Sequence, residues 1–176
     1  MAIQIGAKPD SGFDDPIGML MDCHRRIESF LGILCVVVGR AQGRSLTDEE
    51  RDAVQAALKY FRTGGQRHTL DEEESLFPRL RKSVADSFKD IDRLENDHHE
   101  ANKLHESVDR LYSTWVESGV LGSNDTMQLL SETERLKQLY SDHIQVEETI
   151  VFARATQVLD SHAISAIGTE FRFRRK

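Results

Sequence analysis

The sequence predicts an all-α protein, an up-down-up-down four-helix bundle followed by a short C-terminal helix. Two observations predict it. Apolar residues recur every three to four positions through four long segments, with glycine- and serine-rich breaks between them. No stretch alternates with period two for long enough to form a strand, and with only three prolines in 176 residues little interrupts long helices.

The elements follow in order. Asp14, Asp15 and Pro16 form a helix start, and Ile17, Leu20, Met21, Ile27, Leu31 and Leu34 follow at helical spacing. "GRAQGRS" at 39–45 ends that helix, and Thr47 with Glu50 three residues later makes a capping box for the next. The second helix carries Val54, Leu58, Phe61, Leu76 and Leu80, with Gly64-Gly65 as a kink or a break. A third helix is expected to begin near Ser83–Asp86 and to bury Ile91, Leu94, Ala101, Leu104, Val108, Leu111 and Trp115. After the loop "SGVLGSND", the fourth helix buries Leu129, Leu136, Tyr140, Ile150, Val151 and Val158, and a short helix covers 162–172. The expected organisation is an N-terminal tail at 1–15, the bundle at 16–160, and the short helix with a basic tail at 161–176.

Composition narrows the function. A net charge of −7 argues against nucleic acid or an anionic membrane as partner, and "RFRRK" at 172–176 is too short to reverse that. The most apolar run, "FLGILCVVVG", is about half the ~20 residues a membrane-spanning helix needs. The N-terminal stretch has neither a basic start nor an apolar core, so no signal peptide is expected. Cys23 and Cys35 lie twelve residues apart on one helix, about 18 Å, and cannot pair with each other. Reduced thiols in a cytoplasmic protein are the economical reading.

The strongest signal is an internal repeat. Shifted by 75 residues, His68 falls on His143, Glu72 on Glu147, Glu73 on Glu148, and Phe77 on Phe152. Shifted by 74, His24 falls on His98. Each half therefore reads His, then His-x-x-x-Glu-Glu, then an aromatic. The apolar stripes turn His24, His68, His98 and His143 inward, and place Glu72 and Glu147 one turn beyond two of them. A buried carboxylate without a partner is costly and its pKa is expected to rise. A cation resolves the conflict, because neutral imidazole supplies nitrogen and carboxylate supplies charge. By the same stripes, Glu73 and Glu148 are solvated helix-face charges, and His105 is a core-edge residue.

The stretches "MDCHRRIESFL", "RHTLDEEESLFPRL", "LENDHHEANKL" and "DHIQVEETIVF" resemble the hemerythrin-like (HHE cation-binding) family, from about residue 16 to 155. The resemblance implies a non-haem centre of two iron ions with an oxo, hydroxo or water bridge. It implies His24, His68, His98 and His143 as terminal ligands and Glu72 and Glu147 as bridging carboxylates. The implied small ligand is oxygen, peroxide or nitric oxide. Two features depart from the oxygen carriers of the family: the fourth-helix acid, Glu147, is a glutamate four residues after its histidine where they use a shorter aspartate, and Asn102 stands where they have a fifth histidine. That deficit leaves a position for water or for a nearby group such as Glu73, His99 or His105, and it weakens the case for simple oxygen carriage. Storage, sensing or iron and redox homeostasis stands beside two alternatives, a di-iron enzyme with peroxidase, oxidase or nitric-oxide reductase activity and a metal-stabilised interaction module. The sequence leaves the oligomeric state open.

Overall fold

The structure, a computed structural model, describes residues 11–83 and 88–176, and among them there is no strand. Helix α1 spans Pro16–Ala41; Asp15 caps it by accepting from the Gly18 amide, and Pro16 occupies the first turn, where its missing N–H costs nothing. The next helical run, α2, is composite: α-helical Asp48–Tyr60, a π turn Phe61–Gly65, α-helical Gln66–Asp71, a second π turn Glu72–Leu76, and α-helical Phe77–Ser83. Thr47 and Glu50 form the expected capping box, with bonds of 3.2 and 3.0 Å.

Helix α3 is described over Phe88–Ser118. The start expected near Ser83–Asp86 lies outside the described residues, apart from Ser83, which closes α2. Helix α4 runs through Ser123–Val146, a π turn Glu147–Val151, and Phe152–Val158, and α5 is Ser161–Phe173. The α1–α2 turn needs glycine at one position. Gly43 has φ +81°, and a Cβ there would lie 2.5 Å from the Leu121 carbonyl oxygen of the α3–α4 loop. Leu121 N–H donates to the Gly43 carbonyl, and the Trp115 indole N–H to that of Arg44, which ties the two loops together at one end.

Two apolar clusters make the core. The larger holds Ile27, Leu31 and Leu34 of α1 with Val54, Val108, Trp115 and Leu136. The smaller holds Ile17 and Leu20 with Leu76, Phe77, Ile91, Leu94, Phe152, Ile167 and Phe171, so α5 shares the bundle's core. Between them lies a polar layer. On each of α1–α4 the inward histidine falls in sequence between a residue of one cluster and a residue of the other, as His24 does between Leu20 and Ile27.

The π turns change one predicted face. A straight α-helix through His143 would turn Ile150 inward, yet Ile150 is 48% exposed. The extra residue in the π turn rotates the remainder of the helix, so Phe152 and Ala155 join the expected Val151 on the buried face and Val158 is left half-buried. The basic end is also not a free tail. Arg174 and Arg175 donate to the fully buried Asp71 carboxylate at 2.9 and 2.6 Å, pinning the chain's end to α2.

Candidate metal centre

His24, His68, Glu72, His98, His143 and Glu147 converge between the two apolar clusters, each at most 4% exposed. They form two groups of four whose donor atoms all lie within 4.8 Å of one another: His24, His68, Glu72 and Glu147, and then Glu72, His98, His143 and Glu147. Each group offers two imidazole nitrogens and two carboxylate oxygens, and both carboxylates belong to both groups. Glu72 has Oε1 3.3 Å from His68 Nε2 and Oε2 3.3 Å from His98 Nε2, one oxygen towards each group. Glu147 Oε2 lies 3.0 Å from His24 Nε2 and 3.2 Å from His143 Nε2.

Beyond these contacts with one another, the atoms facing the layer have no hydrogen-bond partner in the protein. Among the described residues, eleven buried side-chain nitrogen and oxygen atoms lack a hydrogen-bond partner, and nine of them belong to these six residues. Native interiors tolerate few such atoms. They include the Nε2 of all four histidines and every carboxylate oxygen of Glu72 and Glu147. A donor set of imidazole and carboxylate is what a divalent first-row cation takes, so the residues present fit a pair of such ions.

The other ring nitrogens are arranged differently. His24 Nδ1 bonds Glu148 Oε1 at 2.8 Å, and His98 Nδ1 bonds Glu73 Oε1 at 2.7 Å. His143 Nδ1 lies 3.5 Å from Asp97 Oδ2, whereas His68 Nδ1 has no hydrogen-bond partner. A carboxylate on Nδ1 holds its proton there and turns the Nε2 lone pair inward. Glu73 and Glu148 were expected to be solvated charges. They are instead 31% and 34% exposed, and each reaches a histidine on a neighbouring helix. The signal was present in the repeat, which shifts the second glutamate of each pair along with the first.

The structure also corrects the expected pKa of the two shared acids. Burial raises the Glu72 carboxyl, but His68, His24 and His98 outweigh it and hold the group well below the ordinary carboxylate range. Glu147 is raised by burial and by Glu72, yet His143 and His24 bring it below its usual value. The imidazoles respond unequally. Burial lowers His98, but Glu72 and Glu73 carry it up to about 10, while burial takes His68 down to about 4.

Of the groups considered for the missing fifth histidine, none joins either set. Glu73 is committed to His98, and His99 is exposed. His105 Nε2 is hydrogen-bonded to the Tyr140 hydroxyl at 3.1 Å, and Asn102 is exposed. Tyr140, expected to pack, does so edge-on against His143, with 6.3 Å between ring centroids.

Residues 15–155 match the Hemerythrin HHE cation binding domain, and the chain belongs to that family. The chain is also similar to an uncharacterized protein of Haemophilus influenzae, 28% identical over 165 residues that cover 93% of this chain and 92% of the other. Among the described residues, no helix is long and apolar enough to cross a membrane.

Proposed function

We propose that the chain is a non-haem di-iron protein that binds oxygen, peroxide or nitric oxide in storage, sensing or iron and redox homeostasis. One observation carries this reading: nine buried side-chain nitrogen and oxygen atoms without hydrogen-bond partners, on six residues that form two groups of four sharing both carboxylates. Iron held there would supply an accessible coordination position and one-electron chemistry.

The protein's own residues do the rest. His24 and His68 would hold one ion and His98 and His143 the other, with Glu72 and Glu147 available to both. Glu148 and Glu73, bonded to the Nδ1 atoms of His24 and His98, would keep the Nε2 atoms turned toward such ions. The apolar layers above and below exclude bulk water, which strengthens every electrostatic contact inside.

The test is metal content and spectrum. The purified protein is expected to hold close to two irons per chain and to show ferric charge-transfer bands that bleach on reduction. His68→Ala and His143→Ala should each lose most of the iron. A colourless protein that retains zinc and ignores iron would defeat the proposal, and steady turnover of peroxide would select the enzyme reading instead.

A further inference from the structure

A cleft of about 790 Å3 opens between α2 and α3, with Gly65, Asn102 and Tyr140 on its walls. These residues stand three before His68, four after His98 and three before His143. Because α3 runs opposite to α2 and α4, the three offsets point to the same end of the bundle. They place the inner cleft about 5 Å along the axis from the candidate ligands. Asn102 is exposed and lies on the cleft wall. The cleft therefore comes within about one helical turn of three candidate ligands on three different helices.

We propose that this cleft is the route by which a small anionic or diatomic ligand reaches the metal pair, and that Tyr140 donates the hydrogen bond that holds it there. The inference rests on the di-metal reading above. The space is far larger than the ~30 Å3 share of one water molecule, so it forms a solvent-filled vestibule and not a fitted pocket. At its inner end the Tyr140 hydroxyl meets His105 Nε2, and the His105 ring packs on Phe61 with centroids 4.6 Å apart. Tyr140 thus lines the cleft and contacts a candidate ligand ring at the same time. His105 is neutral, its pKa pushed down to about 4 by burial, and its Nε2 shares one hydrogen bond with the Tyr140 hydroxyl at rest. An arriving anion is the stronger acceptor and takes that bond over.

Gly65 provides the means to block the route. Its backbone is ordinary right-handed helix, and an added Cβ would meet only the Phe61 ring edge at 3.4 Å. A larger side chain there projects into the cleft without backbone strain.

The experiment uses the full iron-loaded chain with azide as probe, followed by stopped flow. In Gly65→Leu the association and dissociation rates should both fall about tenfold with affinity within about twofold, the signature of a narrowed path to an unaltered site. In Tyr140→Phe association should be near wild type while dissociation rises about tenfold, as loss of one hydrogen bond to a charged acceptor requires. A second readout is independent of iron: carbethoxylation of His105 by diethyl pyrocarbonate, located by peptide mass, should slow in Gly65→Leu and quicken in Tyr140→Phe. Should Gly65→Leu fail to fold, Gln66→Trp at the exposed cleft wall is read by the same criteria. Wild-type azide rates and wild-type His105 labelling in a folded, iron-replete blocking variant overturn the route, and unchanged azide dissociation in Tyr140→Phe overturns the role of the phenol. If the wild-type chain takes up no iron, the di-metal reading fails by that measurement, and His105 labelling still decides whether the cleft admits small molecules.

Discussion

Glu73 of α2 bonds the Nδ1 of His98 on α3 at 2.7 Å, across the helix boundary and 25 residues away in sequence. The same relationship joins Glu148 of α4 to His24 of α1. The repeated Glu-Glu pair thus divides its labour: the first glutamate faces the candidate metal layer and the second orients a histidine opposite.

Removing that second carboxylate should weaken metal binding without dismantling the fold. Glu73→Ala and Glu148→Ala are each expected to lower iron affinity by roughly 10- to 100-fold, as outer carboxylates on ligating histidines generally do. Competition against a chelator measures it, with the exposed Glu74→Ala as control. Affinities within twofold of wild type would mean that the Nδ1 contacts position nothing.

Metal-free protein should show a two-sided pH dependence. His98, carried up to about 10 in the fold, contributes stability that is full below pH 6.5 and is lost as pH rises towards 10. His68, pushed down to about 4, contributes stability present above pH 6.5 and lost as pH falls towards 4. Metal uptake requires neutral imidazoles, so loading should release protons near neutrality and flatten the alkaline limb. Melting temperatures across pH 5–10, with and without iron, read both effects. An alkaline limb that is equally steep in both forms would show that His98 carries no proton for metal to displace.

The buried Asp71 carboxylate relies on Arg174 and Arg175 at the chain's end. Burial raises its pKa even with both cations present, so little else there favours its charge. Arg174→Gln with Arg175→Gln should cost about 3 kcal/mol, the scale for leaving one buried charge unpaired, and Asp71→Asn added to the pair should recover part of it. Chemical denaturation gives the values. A double variant as stable as the parent would show that the C-terminal segment holds by its apolar contacts alone.

Gly43 carries φ +81° against the Leu121 carbonyl. Gly43→Ala is expected to destabilise by about 2 kcal/mol, combining the left-handed backbone cost with displacement of the α3–α4 loop. A change in unfolding midpoint worth less than about 0.5 kcal/mol would show that the loop yields freely.

Much of this architecture was legible in the sequence because burial writes itself as spacing. Ile91, Leu94, Ala101, Leu104, Val108, Leu111 and Trp115 were all expected inside, and all are buried. The convergence of six polar residues was legible for a different reason: one His-x-x-x-Glu is common, but two in register with a second pair of histidines are not. Glu73 and Glu148 were misread because a half-exposed carboxylate looks the same in sequence whether water or an imidazole completes it. Ile150 was misplaced because a π turn adds one residue without any compositional mark. Its trace is only that Val151 and Phe152, not Ile150, resume the buried face.

The cross-bracing of the two halves makes the candidate site a record of completed folding. The leading hairpin, α1 with α2, contains three of the six candidate donors, His24, His68 and Glu72. One of these, His24, is oriented by a carboxylate on the last helix of the bundle. The trailing hairpin depends in the same way on Glu73 of the first. Neither hairpin can therefore present a finished half-site to a cation while it stands alone. A cation would meet the full set of donors only once all four helices have docked, so a partly assembled chain would offer it an incomplete site.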